Sequence, residues 1–136
     1  MPKTTLRKIE KKTVISTGPG DSVKTAAMLM REKMVGSVVI VENKRPIGII
    51  TDRDITVRVV ADGLDVAKTK VREVMTGELI TANEDTRAAE LLKVIDENGI
   101  RRVPIVDKNG HLSGIITLDD LLQIVGINVG VKMKLT

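Results

Sequence analysis

A chain of 136 residues and 14.8 kDa with 42% hydrophobic content has the size of one ordinary domain and enough apolar side chains for a core. It contains no cysteine, which excludes disulfides, thiolate nucleophiles and cysteine-held metals, and no Phe, Trp or Tyr, which removes the aromatic platforms on which single-stranded nucleic acids stack. The net charge of +4 is accounted for by residues 1–12, where Lys3, Arg7, Lys8, Lys11 and Lys12 stand against Glu10, so the basic balance belongs to one short segment and not to the body of the chain.

That segment carries no apolar core of a signal peptide. No later apolar run reaches membrane-spanning length, since Val38–Val41 is stopped by Glu42. A cytoplasmic location is the expectation.

Val14-Ile15-Ser16 reads as a short strand. Asp21-Ser22 is a cap for a helix whose Val23, Ala26, Ala27, Met30 and Met34 recur at helical spacing. Ser37–Glu42 follows as a strand apolar on both faces. A turn at Asn43-Lys44-Arg45-Pro46 leads into the strand Ile47–Thr51, and the helix Asp52–Ala61 ends near Gly63. Residues 63–70 are a polar linker. Beyond it come a helical turn at Val71–Met75, a strand Leu79-Ile80-Thr81 and a cap at Asp85 or Thr86. The helix Thr86–Asn98 is closed by Gly99, strands Arg102–Asp107 and Leu112–Thr117 flank an Asn109-Gly110 hairpin signal, and the helix Leu118–Val125 completes the order.

The second half repeats the first. A shift of 65 residues aligns Leu6–Val41 with Val71–Val106, and a shift of 66 aligns Gly48-Ile49-Ile50-Thr51 and Asp54 with Gly114-Ile115-Ile116-Thr117 and Asp120. The extra residue falls in a turn, where an insertion is tolerated. Each copy is about sixty residues, too small for a robust core of its own, so the two are expected to pack together. The boundaries read as repeats at 6–62 and 71–127, with 1–12 a basic opening segment and 128–136 a tail. Met28, Leu29, Leu91 and Leu92 lie off the main stripe of their helices, which fits either a second apolar face for another chain or additional core packing.

The duplicated Thr-x-x-Asp has two readings. Thr51 with Asp54, and Thr117 with Asp120, form capping boxes in which the hydroxyl accepts from the helix backbone and the carboxylate reaches back to the threonine N–H. A carboxylate at a strand-to-helix turn can also accept two hydrogen bonds from the adjacent hydroxyls of a ribose. Both readings stand on the residues alone.

Three signatures carry a family resemblance: Val71-Arg72-Glu73-Val74-Met75-Thr76 opening a repeat, Ile100-Arg101-Arg102-Val103-Pro104-Ile105-Val106-Asp107 in its middle, and Gly-Ile-Ile-Thr-x-x-Asp closing both. From Leu6 to Val125 the chain resembles a tandem of cystathionine-beta-synthase (CBS) domains, the Bateman module. The resemblance implies an α/β (α+β-like) fold of two pseudo-symmetric units, each a small three-stranded sheet with two helices, packed on each other and commonly forming a homodimer. It implies binding of AMP, ADP, ATP or S-adenosylmethionine, with no cofactor required and Mg as an optional companion of the ligand. By matched position the ribose acids are Asp54 and Asp120 beside Thr51 and Thr117. Adenine contacts fall on Ile15, Ser16, Val35 and Gly36 in one copy and on Ile80, Thr81, Ile100 and Arg101 in the other. Phosphate contacts fall on Arg101 and Arg102.

The copies differ there, because Gly36-Ser37 stands where the other has Arg101-Arg102. Guanidinium groups suit phosphates, and two arginines bridging neighbouring acids would give the same sequence. Asp119-Asp120 is a minimal carboxylate pair for a divalent cation. No nucleophile stands beside a base, and the single histidine, His111, sits at a turn, so an enzyme is disfavoured. The leading expectation is a non-catalytic regulatory module that senses an adenosine ligand and signals to an unidentified effector protein. The alternative is a structural or interaction protein with vestigial sites that docks a partner through its basic opening segment, with nucleic acid the less favoured partner and no membrane role.

Overall fold

The computed structural model describes residues 5–8, 10 and 13–124, with Ile124 described by its backbone only. Contacts divide it into two units. One is Thr13–Leu79; the other joins the described residues of the chain start to those from Ile80 onward.

In the first-repeat unit the elements are β1 (Ser16–Thr17), α1 (Val23–Lys33), β2 (Ser37–Glu42), β3 (Arg45–Thr51), α2 (Asp52–Ile55) continuing as a π-helical turn Thr56–Val60, and α3 (Val71–Val74). The sheet order is β1-β2-β3, with β1 parallel and β3 antiparallel to β2. Ser22 caps α1 by accepting from Thr25 N at 3.1 Å, and Met34 closes the helix in the left-handed conformation at φ 54°. The buried face of α1 (Val23, Ala26, Met30) packs with Val38, Ile40, Ile50 and Val59, and with Val71 and Val74 from α3.

The second-repeat unit repeats this plan with β4 (Ala82–Asn83), α4 (Ala88–Asn98), β5 (Arg102–Val106), β6 (Leu112–Thr117) and α5 (Leu118–Ile124). Its sheet order is β4-β5-β6, and both sheets carry a bulge at the same repeat position, Ile40/Val41 and Ile105/Val106. Its core is Ala88, Leu91, Ile95, Val103, Ile105, Ile116 and Leu121, together with Leu6 from the 3-10 turn Leu6–Lys8.

Leu6 and Val71 occupy the same place in the repeat, and each is fully buried in the core of the other repeat. The opening segments are thus exchanged. The glycine of Gly-Ile-Ile-Thr makes room for them: a Cβ on Gly48 would run into the Met75 side chain and lie 3.0 Å from Thr76 O, and one on Gly114 would lie 2.7 Å from Glu10 Oε2. Met75 and Glu10 are again repeat partners, and Glu10 is buried, with Ser113 Oγ 3.3 Å from its Oε2.

Several sequence expectations are corrected. The short strands begin later than read, at Ser16 and Ala82 and not at Val14 and Leu79, because parallel pairing to the middle strand and not local apolarity sets them. Pro46 lies inside β3 opposite Val41, tolerated beside the bulge; the turn is the two residues Asn43 and Lys44, both at positive φ, as a tight hairpin requires. The second hairpin is longer, with Gly110 at φ +79° and Asp107 Oδ1 accepting from Asn109 N and His111 N. The α4 N-cap is Arg87, without a side-chain cap bond, and neither Asp85 nor Thr86; Asn83 Oδ1 instead organises that turn by accepting from Asp85 N. Met34 is outside the core stripe and 91% exposed. Leu91 is buried and Leu29 packs on the first core, so of the off-stripe residues Met28 is the exposed one. Val125, the tail 128–136 and Lys3, Lys11 and Lys12 lie outside the described residues.

Candidate functional site

Both Thr-x-x-Asp motifs form the reciprocal hydrogen bonds expected of them. Thr51 Oγ1 accepts from Asp54 N at 3.1 Å while Thr51 N donates to Asp54 Oδ2 at 2.9 Å. The corresponding distances for Thr117 and Asp120 are 3.2 and 3.3 Å. A further bond fixes each turn against the middle strand: Asp52 N donates to Gly36 O at 3.0 Å, and Leu118 N to Arg101 O at 2.8 Å. The ladders then set Ser37 opposite Thr51 and Arg102 opposite Thr117. Cross-strand partners share a face of the sheet, so the residues that differ between the copies are presented beside the residues that do not.

In the second-repeat unit this produces a cleft of about 310 Å³ lined by Arg101, Arg102, Thr117, Leu118, Asp119 and Asp120. Two arginines, a threonine and two aspartates therefore line one concave surface. Leu118 supplies an apolar wall that the motif reading did not include. Ile100, Ile80 and Thr81 are not among the lining residues; Ile100 packs against the core, Ile80 is half-buried and Thr81 is exposed.

The first-repeat turn is surrounded differently. Gly36 and Ser37 bring no charge. Ile15 packs on the core while its carbonyl accepts from Val39 N at 3.0 Å; Ser16 and Val35 are exposed. The Asp54 Oδ1 atom lies 3.6 Å from Arg58 Nη2, and Arg58 Nη1 donates to Val74 O at 2.7 Å. The sequence reading missed Arg58. Its signal was available in the acid–base spacing of four along a helix.

Among the described residues no group of three or more His, Cys, Asp or Glu side chains is placed to hold a metal ion, and no helix is long and apolar enough to cross a membrane.

Comparison with known proteins agrees with this architecture. The CBS domain family model matches residues 6–61 and again 71–126, and the chain belongs to the CBS domain family as a tandem pair. An uncharacterized protein of Methanopyrus kandleri is 43% identical over 85% of this chain, the match spanning 60% of that protein's own length. A CBS domain-containing protein of Bacillus subtilis, YhcV, is 39% identical over 79% of this chain and 76% of its own length. The inosine-5'-monophosphate dehydrogenase of Methanocaldococcus jannaschii is 39% identical over 82% of this chain, which corresponds to 22% of the enzyme. Among solved structures, the CBS domain pair of protein MJ0100 in complex with 5'-methylthioadenosine and S-adenosyl-L-methionine superposes with a TM-score of 0.80 at 28% identity, covering 92% of this chain and 98% of that one.

Proposed function

We propose that this CBS pair is a regulatory module without chemistry of its own that binds an adenosine compound of the AMP, ADP, ATP or S-adenosylmethionine class, and that the second-repeat cleft is the site. The observation that carries this is the convergence of Arg101 and Arg102 with Thr117 and Asp120 on one concave surface. A ribose diol can share the outward-facing oxygen of Asp120. Arg101 and Arg102 offer forked donors to phosphates, a geometry in which charge-assisted hydrogen bonds are strong. Leu118 gives a flat ring an aliphatic wall, the type of surface left to a chain without aromatics. Asp119 is the carboxylate beside which a Mg2+ carried by the phosphates would lie. The complex of the MJ0100 pair with two adenosine compounds supports the ligand class.

Occupancy would alter how the helix after the cap sits on β5, and through it the contacts offered to an effector protein in the cytoplasm. Homodimerisation, checked by sedimentation, is part of the same reading; exposed Val57 and Val60 of the first-repeat unit are apolar surface for it to cover.

The test begins with the ultraviolet spectrum of the purified protein. Lacking Trp, Tyr and Phe, the chain is nearly transparent where adenine absorbs. An adenine band that travels with the protein and yields a defined adenosine compound by mass, or saturable binding of one in calorimetry, is the expected result. A blank spectrum together with no heat from AMP, ATP or S-adenosylmethionine contradicts the proposal.

A further inference from the structure

The two acids of the duplicated motif are not equally available. Asp120 takes part in its capping box, and among the described residues no cation pairs with it. Asp54 has the same box on Oδ2, but Oδ1 faces the Arg58 guanidinium at 3.6 Å. That guanidinium is held from its other side by Val74 O at 2.7 Å and by Thr76 Oγ1 at 3.4 Å. Val74 and Thr76 belong to the exchanged segment, where Val74 is buried and Thr76 is bonded through its backbone to Ile49. Arg58 is therefore anchored against a fixed backbone. The repeat shift of 66 puts Ile124 where the first copy has Arg58.

A second difference has the same sense. Where the second cleft has Arg101, Arg102 and Leu118, the first turn has Gly36, Ser37 and Asp52, and the Asp52 carboxylate accepts from Arg53 N at 2.8 Å. Phosphates brought to the first turn would meet the Asp52 carboxylate and would lack the counterparts of Arg101 and Arg102; the arginines of that turn are Arg53, next to Asp52, and Arg58, already set against Asp54. A ribose diol brought to Asp54 would have to share or displace a cation that already neutralises it.

We propose that Arg58 is the built-in occupant of the first-repeat acid, so that the chain takes one adenosine-type ligand, at the second-repeat cleft, while the first turn is held closed by its own side chain. This rests on the adenosine reading above. In that arrangement the first repeat is a fixed brace, tying the Thr51–Asp54 box to the exchanged segment through Arg58, and the second repeat is the one that responds.

Calorimetric titration with AMP and with adenosine tests it on the full chain. The wild type should bind one AMP per chain; Asp120→Ala should abolish that binding, and Asp54→Ala, verified as folded by circular dichroism, should retain it within a few-fold. Arg58→Met keeps an apolar stem and removes the guanidinium, and should reveal a second binding event, clearer with adenosine than with AMP because the first turn has Gly36 and Ser37 in place of Arg101 and Arg102 and adds the Asp52 carboxylate. Two equivalent sites in the wild type, loss of binding in folded Asp54→Ala, or a folded Arg58→Met chain that still binds a single adenosine would each overturn the proposal while leaving the adenosine reading intact. The wild-type stoichiometry decides the matter even where Arg58→Met does not fold. Absence of binding in both wild type and Arg58→Met removes the adenosine reading and this proposal with it.

Discussion

The two capping boxes have the same bonds, yet what surrounds them differs at nearly every charged position. Thr51–Asp54 is flanked by Ser37 across the ladder and by Arg58 one helical turn on; Thr117–Asp120 is flanked by Arg102 and by a cleft. The helices diverge too, since the first passes from α into a π turn at Thr56 whereas α5 remains α-helical to Ile124. The duplicated residues thus build a common scaffold, and the residues that are not duplicated give each copy its own surroundings. A capping box alone defines neither a ligand site nor its absence.

Substitutions at paired positions can break or sharpen this comparison. The largest effect is expected at the exchanged segments. Leu6 is fully buried in the second-repeat core, so Leu6→Ala should cost about 2–5 kcal/mol in urea unfolding. Val71→Ala removes less volume from the first-repeat core and should cost less. A Leu6→Ala chain as stable as wild type would mean that the opening segment does not complete the second core.

Next come the caps. Thr51→Ala and Thr117→Ala should each lose about 1 kcal/mol, a near equality that follows from their matching bonds. A smaller effect of opposite sign is expected at the helix ends. Met34 and Gly99 are repeat partners in the same left-handed conformation, at φ 54° and 63°. Met34→Gly should therefore stabilise by a few tenths to about 1 kcal/mol, whereas Gly99→Ala should destabilise by a similar amount. Equal signs at the two positions would contradict the shared backbone.

The smallest effect is on acidification. The Thr17 hydroxyl, and then Gly18 N at 2.8 Å, hold the Asp21 carboxyl below the usual carboxylate range. Because the folded pKa is lowered, the associated stability is present above the unfolded carboxylate pKa and is lost as pH falls through the folded value. The difference between wild type and Asp21→Asn should shrink to nothing in acid. The second repeat has Thr86 at this position, so Thr86→Val should give a pH-independent difference.

Much of this fold was legible in the sequence because each copy confirmed the other. Ser37–Glu42 emerged with its full span from a run of apolar residues, and the Gly-Ile-Ile-Thr strands from repetition. The short strands were misplaced because two residues carry no period, and their position is fixed by pairing with Val39–Ile40 and Ile105–Val106. Segment exchange was illegible for a different reason. Leu6 and Val71 are equivalent in sequence, and equivalence does not say which copy's core receives them. At the site, the repeat pointed to Thr117 and Asp120 and the family resemblance to Arg101 and Arg102, and all four line one cleft. Ile80, Thr81 and Ile100, taken over by resemblance, do not line the cleft. Arg58 has no counterpart in the second copy, where Ile124 takes its place, so the repeat carries no signal for it.

The most direct test of the central claim is an amide 1H–15N correlation spectrum of the labelled chain, recorded as AMP is added. The account predicts saturable shifts concentrated at the backbone amides of 101–102 and 117–120, with those of 36–37 and 51–54 left nearly unmoved. Equal shifts at both turns, or shifts confined to the first, would contradict it.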